Sequence, residues 1–243
     1  MQTVLITGCS SGFGLATAHY FLDHGWKVIA TMRTPREDLL PRSPHLRVLA
    51  LDVTDPASIR QAVEAAGPID VLVNNAGIGL LGALEGTTMD LVREVFETNT
   101  LGTMAMTQAV LPQFRQRKAG IVVNVTSSVT LKSLPLLSVY TASKAAVNAF
   151  TESLALELQP FNVQVRVVLP GRAPETRFGD NARPRIQIPE AYAALAQSVF
   201  AQWGQSTQEL TRALDVAEAV WRAATDPACP MRIPAGADAV ALG

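Results

Sequence analysis

Tyr140 and Lys144 stand four residues apart in Ser138–Leu158, a stretch with a helical pattern, so both side chains leave one helix face about one turn apart. An ammonium beside a phenol favours the phenolate and draws the tyrosine pKa down from its ordinary value of about 10. A phenol tuned in this way can act as general acid and base on an alcohol or a carbonyl. Upstream, Thr126, Ser127 and Ser128 close a Val/Ile run that reads as a strand. Hydroxyls at the C-terminal edge of an open α/β sheet lie where ligands bind, so one of these can hydrogen-bond a substrate oxygen beside Tyr140. Asn99 falls inside the helical stretch Met89–Arg117, where it is a poor helix former and reads as a polar link in the core.

A second constellation sits near the start of the chain. A short strand runs directly into Thr7-Gly8-Cys9-Ser10-Ser11-Gly12-Phe13-Gly14 and then a helix. Glycines let backbone approach a pyrophosphate, and a helix N-terminus offers free N–H groups. The segment lacks the Gly-Lys-Ser/Thr ending of a P-loop. At the end of the second strand, where a dinucleotide site often carries an acid, the chain has Met32-Arg33. A guanidinium there binds a 2′-phosphate bidentately, which favours NADP over NAD, with Ser11 as a second phosphate contact.

The elements that must position these residues alternate. Val4–Thr7, Lys27–Thr31, Leu46–Val53, Asp70–Asn74, Ile121–Thr126 and Val163–Leu169 read as buried strands, with Met231–Pro234 as a last one. Helices are expected at Phe13–His24, Ala57–Ala66, Met89–Arg117, Ser138–Leu158, Ala191–Trp203 and Ala213–Ala224. This alternation implies an α/β fold, one domain over 1–243 with a doubly wound parallel sheet of about seven strands. The proline- and arginine-rich stretch after residue 170 marks 171–212 as a substrate-binding lid within that domain.

Composition excludes several classes. With 243 residues, 20 Lys plus Arg and 21 Asp plus Glu, there is no basic footprint for nucleic acid. Cys9 and Cys229 stand in no metal-ligand spacing, and His19, His24 and His45 crowd into the first fifth, so no metal site is expected. No run approaches the ~18–20 apolar residues of a membrane helix. The start of the chain shows no basic segment or cleavage site, and a cytoplasmic location is the expectation.

Taken together, these motifs resemble the short-chain dehydrogenase/reductase family, in its compact branch that includes hydroxysteroid- and retinol-dehydrogenase-like members and carbonyl reductases. The matching residues are Thr7–Gly14, Asp52-Val53, Asn74-Asn75-Ala76-Gly77, Asn99-Thr100-Leu101-Gly102, Thr126-Ser127-Ser128, Tyr140-Thr141-Ala142-Ser143-Lys144 and Pro170-Gly171. The resemblance implies a Rossmann fold and an Asn-Ser-Tyr-Lys tetrad. Tyr140 would exchange the proton, Lys144 would lower its pKa and hold the nicotinamide ribose, and Asn99 would support a water relay. The cofactor would lie along Gly8, Ser10, Ser11, Gly12, Phe13, Gly14 and Arg33. Further contacts would come from Asp52, Val53, Asn75, Ala76, Gly77, Thr126, Tyr140, Lys144, Pro170 and Gly171.

Two departures from the family pattern stand out. In many members the serine precedes the tyrosine by thirteen residues, which points to Ser127. Position within the motif points to Ser128, as in retinol-dehydrogenase-like members, and Ser128 is the assignment taken. The segment from Pro170 to Thr176 is one residue longer than the common pattern, which leaves the role of Thr176 open. The family's substrate-shaping segments are apolar here, holding Ile78, Leu80, Leu81, Leu131, Leu134, Leu136, Leu137, Phe178, Ile186, Tyr192, Phe200 and Trp203. That suits a hydrophobic ketone, aldehyde or secondary alcohol, and a carbonyl reductase or alcohol dehydrogenase. Arg172, Arg177, Arg183 and Arg185 in the lid read as a solvated loop face. The alternative is a non-catalytic NADP(H)-binding sensor on the same fold. Family members are often dimers or tetramers, which leaves a homodimer or homotetramer open.

Overall fold

Seven short runs rich in Val, Ile and Leu lie side by side as one parallel sheet in a computed structural model, which describes residues 1–176, 178–205 and 209–242. The strands are β1 (Thr3–Ile6), β2 (Lys27–Met32), β3 (Leu46–Ala50), β4 (Val71–Asn74), β5 (Gly120–Val125), β6 (Val163–Pro170) and β7 (Arg232–Ala235). Their order is β3-β2-β1-β4-β5-β6-β7, so the chain reverses its direction of travel across the sheet between β1 and β4. A crevice opens at such a switch point, beyond the C-terminal strand ends. This is a Rossmann-like fold.

Alternate residues of each strand face opposite layers. Val4, Ile6, Val28 and Ala30 bury against α1 (Gly12–Asp23), whose Phe21 joins Val216 and Val220 of a later helix, Ala213–Thr225. Leu5, Ile29, Leu72 and Val122 face the other layer, formed by α2 (Pro56–Ala66) and two longer helices carrying Met106, Val110 and Leu154. The α2 start is set by its sequence: Asp55 Oδ1 accepts from Ala57 N at 2.8 Å and Pro56 follows the cap. Gly25 ends the α1 turn with φ +77.

Two elements differ from their sequence pattern. Strand β3 stops at Ala50, and the chain beyond it turns around Asp52, whose Oδ1 accepts from Thr54 N and Oγ1. The expected helix Met89–Arg117 is two helices, α3 (Met89–Phe96) and α4 (Gly102–Arg117), separated by a π turn at Glu97–Leu101 that contains Asn99. Helix α5 (Ser138–Leu158) is continuous. Beyond β6 come α6 (Phe178–Ala182), α7 (Ala193–Gln205), α8 (Ala213–Thr225) and, after β7, α9 (Ala237–Val240). Among the described residues, no helix is long and apolar enough to cross a membrane, and no three His, Cys, Asp or Glu side chains gather in a metal-holding group.

Below the crevice a buried polar ladder ties α4 and α5 to the sheet. Asn74 and Asn124 are register partners on β4 and β5. Asn74 Nδ2 donates to Thr107 Oγ1 at 3.0 Å and to Asn124 Oδ1 at 2.9 Å, and Asn124 Nδ2 donates to Thr151 Oγ1 at 2.8 Å. Removing one member strands buried donors on its neighbours. Asn124→Ala is therefore expected to lower unfolding stability by about 1–3 kcal/mol in urea titration. A loss below a few tenths would mean the ladder carries no stability.

Candidate active site

The crevice is built on bare backbone. Thr7, directly after β1, uses its hydroxyl as a double acceptor, taking the N–H of Asn75 at 3.0 Å and of Ala76 at 2.9 Å. Asn75 returns the contact through Nδ2, which donates to Thr7 O at 2.9 Å and Gly8 O at 3.3 Å. Gly8 (φ +76) and Gly12 (φ +57) hold left-handed conformations that suit glycine. A Cβ on Gly14 would fall 2.3 Å from Gly8 O and 2.5 Å from Asn75 Nδ2. Helix α1 thus starts pressed against the β1 turn. Its N-cap Ser11 is fully extended and makes no side-chain capping hydrogen bond, so the first-turn N–H groups point outward unanswered by it. Cys9, inside this turn, is buried, and burial pushes its thiol up to about 12, which makes it inert as a nucleophile.

Arg33 follows β2 on the exposed rim. Its charge helps hold the Asp52 carboxyl below its ordinary range, behind the larger effect of hydrogen bonds from Thr54 N–H and hydroxyl. Val53 packs on Gly102, where a Cβ would lie 2.9 Å from Val53 Cγ2. The residues present fit a dinucleotide: an uncapped helix start for the diphosphate, and an arginine at the β2 edge. A glycine floor lies at Gly77, where a Cβ would crowd Asn99 Oδ1 (3.2 Å) and Lys144 Nζ (3.3 Å).

Beside this floor the α5 pair is buried, Tyr140 at 7% and Lys144 at 5% exposed. Lys144 Nζ donates to Val125 O, the end of β5, at 3.1 Å. Burial alone drives its ammonium down to about 8. The Tyr140 phenol is pushed up to about 12 by burial, with hydrogen bonding to the Ser127 hydroxyl pulling the other way. The sequence led to the expectation of a phenol drawn down by the lysine; burial acts on it in the opposite direction and is the larger influence.

Both candidate serines are buried beside the pair, and of the two it is the Ser127 hydroxyl that acts to lower the Tyr140 phenol. Ser127 is the last residue in extended conformation (φ −172, ψ 149), and a tight 3-10 turn starts at Ser128. The turn is stapled by Val129 N to Ser127 Oγ at 3.3 Å and Thr130 Oγ1 to Ser127 O at 2.9 Å.

Asn99, 1% exposed, spends most of its amide on structure. Oδ1 accepts from Ile78 N at 2.8 Å, while Nδ2 donates to Ile78 O at 2.9 Å and Ser143 Oγ at 3.1 Å. Ser143 Oγ donates onward to Tyr140 O at 2.7 Å. The polar core link read from sequence is therefore present, joining the segment after β4 to α5.

Apolar side chains of the lid lie near the pair, with one ring directly beside Tyr140. The Phe178 ring stands 5.7 Å from the Tyr140 ring at 58°, lies against Gly79 and is 39% exposed. Leu136, Ala196 and Val199 form a cluster with Leu81, Tyr192 and Trp203. Ile78 and Leu80 instead pack inward on Val95 and Val139. Ile186 and Phe200 are exposed, Leu131, Leu134 and Leu137 half-buried. Thr176 rests against Gly12, its Cβ 3.4 Å from where a Cβ on that glycine would stand. The lid arginines are engaged within the chain: Arg172 with Trp203 O, Arg183 with Asp180 and Arg185 with Glu94. Arg177 lies outside the described residues.

Comparison with known proteins places this geometry. The family model described as short chain dehydrogenase matches residues 2–186. The chain belongs to the short-chain dehydrogenase family. It is an oxidoreductase acting on CH–OH groups, and several solved structures similar to it hold NADP or NAD. The 3-ketodihydrosphingosine reductase of Bacteroides thetaiotaomicron is 42% identical over 74% of this chain and 66% of its own length. The chain thus spans just under two thirds of that relative. Human retinol dehydrogenase 8 is 35% identical over 88% of this chain and 76% of its own. A serine dehydrogenase complexed with NADP+ superposes with a TM-score of 0.82 at 28% identity, covering 97% of this chain and 94% of that one. A Burkholderia phymatum family member in complex with NAD gives 0.80 at 27% identity, covering 96% and 88%.

Two features of the crevice escaped the sequence. Thr7 ties two strand ends by an ordinary hydroxyl. Asn74 belongs to a recognised motif, yet its partners Thr107, Asn124 and Thr151 carry no local signal.

Burial of Lys144 makes a testable statement about pH. Its folded pKa of about 8 lies below the ordinary 10.5, so between those values the unfolded chain binds the extra proton and stability from this group rises with pH. Below pH 8 both states are protonated and the full cost of burying the charge stands. Relative to the parent, Lys144→Met is expected to be more favourable at pH 7 than at pH 10, by on the order of 2–3 kcal/mol in urea unfolding. Tyr140 is common to both proteins. A difference that stays flat across this window contradicts the burial.

Proposed function

We propose that this dehydrogenase transfers hydride between NADP(H) and a hydrophobic ketone or aldehyde, or the corresponding secondary alcohol, with Tyr140 as general acid and base. The observation that carries the reading is the burial of Ser127, Tyr140 and Lys144, with Lys144 Nζ beside the glycine floor at Gly77 and the Phe178 ring beside Tyr140. Catalytic domain 1–243 is read as a single unit with 171–212 as its substrate-facing lid. The names of two relatives, for a ketosphingoid base and for retinol, agree with a lipid-like substrate.

A nicotinamide held in this crevice would supply or accept the hydride. The chain's own residues manage the oxygen. Ser127 Oγ orients the reacting oxygen toward the Tyr140 phenol, which gives its proton in reduction and takes one in oxidation. A phenol held up at about 12 is protonated at neutral pH, the form that reduction uses. Lys144 Nζ, which donates to Val125 O and lies near Gly77, would hold a ribose hydroxyl and stabilise the phenolate left behind. Asn99 fixes Ile78 against Ser143 and keeps one free lone pair for a water. The first-turn N–H groups of α1 with Ser11 would hold the diphosphate, and Arg33 the 2′-phosphate. The Phe178 ring lies against the Tyr140 ring.

Loss of absorbance of reduced nicotinamide over a panel of apolar ketones and aldehydes tests the reading. Tyr140→Phe is expected to lose roughly 10²–10⁴-fold in kcat with NADPH binding within a few-fold of the parent. Ser127→Ala should lose about 10²-fold or more, and Ser128→Ala only a few-fold. Equal losses for the two serines would overturn the assignment to Ser127.

Cofactor choice is a separate measurement. The parent is expected to favour NADPH, and Arg33→Ala to lower the ratio of kcat/KM for NADPH over NADH by roughly 10–100-fold. NADH preference in the parent would sink the Arg33 reading and leave hydride transfer standing.

A further inference from the structure

The excursion that leaves β6 at Pro170 returns to α8 at Ala213, and its two roots meet. Thr211 N donates to Arg172 O at 3.1 Å. Both roots then converge on one carboxylate from the far end of the chain, Asp238 of α9. Asp238 Oδ2 accepts from Arg172 N at 2.7 Å, and Oδ1 accepts from Thr211 Oγ1 at 2.5 Å. The Thr211 hydroxyl also lies 3.0 Å from Ala235 O. It has a single proton, and the shorter contact to a carboxylate takes it. Ala235 O is answered separately by Gly171 N at 3.1 Å.

The surrounding residues make room for this arrangement. A Cβ on Gly171 would fall 2.0 Å from Asp238 Oδ1, and one on Gly236 (φ +93) would fall 2.0 Å from Thr211 Oγ1. Thr211 is 1% exposed. A second strap joins the same two roots, as Glu175 Oε1 accepts from Ala213 N at 2.7 Å. Four separate stretches of chain, 170–172, 175–176, 211–213 and 235–238, are therefore fixed to one another. Within them lie the Pro170-Gly171 turn and Thr176, which rests on Gly12 of the glycine cradle.

We propose that Asp238 is a positioning residue for the reaction: it clamps both roots of the excursion and so holds the Pro170-Gly171 turn and Thr176 in register with the cofactor crevice. The inference rests on the dinucleotide reading above. It assigns no contact with reacting atoms to Asp238. Without the clamp, the crevice reaches its binding arrangement in only a fraction of molecules, and the apparent affinity falls by that fraction. Bound molecules react as before.

Asp238→Ala is accordingly expected to raise KM and the fluorescence-titrated Kd for NADPH by roughly 10-fold, with kcat within about threefold. Thr211→Val should shift both in the same direction by a smaller factor, and Thr211→Ser, which keeps the hydroxyl, should restore the parent values. Combined with Asp238→Ala, Thr211→Val should add little, because the two changes remove one shared contact. Limited proteolysis reads the clamp without any cofactor: cleavage within 173–205 should accelerate in Asp238→Ala. Unchanged proteolysis together with unchanged NADPH affinity overturns the proposal. So does an equal fall of kcat and kcat/KM, which would mark a residue acting in the chemical step. If Asp238→Ala fails to fold, Thr211→Val against Thr211→Ser decides: equal NADPH affinities for those two overturn the clamp. Should the parent bind neither NADPH nor NADH, the dinucleotide reading fails, while the proteolysis comparison still tests whether Asp238 holds the roots.

Discussion

Everything at the crevice depends on how closely the end of β1 approaches the end of β4. One hydroxyl, Thr7 Oγ1, receives two successive N–H groups from Asn75 and Ala76, and the Asn75 amide answers to the carbonyls of Thr7 and Gly8. The distance this sets leaves space for no side chain at Gly14. The start of α1 is therefore fixed relative to β4 by hydrogen bonds and by excluded volume together. The same strand end leads into Gly77, where Asn99 and Lys144 arrive from α5 and the π turn. Helix start, floor and the Tyr140–Lys144 pair are positioned from one junction.

Burial is the second theme. Tyr140 and Lys144 lie in a desolvated place that opposes charge on both, raising one and lowering the other. The chain on its own favours the neutral phenol and the neutral amine more than either group would in water. Polar contacts from Ser127 and Val125 O offset part of that cost. The buried ladder of Asn74, Asn124, Thr107 and Thr151 ties α5, the helix that carries both groups, to β4 and β5.

The strands were readable from sequence because strands buried on both faces of a parallel sheet are continuous apolar runs, and Val4–Thr7 or Val163–Leu169 could be little else. The glycine turn, Tyr140 and Lys144 were readable because their spacing is local. The π turn at Asn99 was not, since it depends on an amide reaching the backbone of Ile78, 21 residues away. Ser127 and Ser128 are chemically identical neighbours, and only the point where extended backbone gives way to a turn separates them. The pKa direction of Tyr140 was missed for the same kind of reason: spacing reveals a neighbouring charge but not the depth at which both groups lie. Asp238 and Thr211 are 27 residues apart, and only β7 brings them together.

The π turn between α3 and α4 has a consequence for how this chain can vary in length. A π turn is an α-helix holding one residue too many, and each helical residue advances the direction of a side chain by about 100°. Excising one residue from Glu97–Leu101 would give a smoother, continuous helix, one that local propensity prefers. It would also swing α3 about its axis relative to α4, so that Val95 and Phe96 would leave their places against Leu80 while Val110 and Phe114 kept theirs. The irregularity is thus a phase shift between two otherwise ordinary helices. It lets one of them read the sheet and the other read the loop after β4, and a deletion there would be felt as a rotation and not as a shortening.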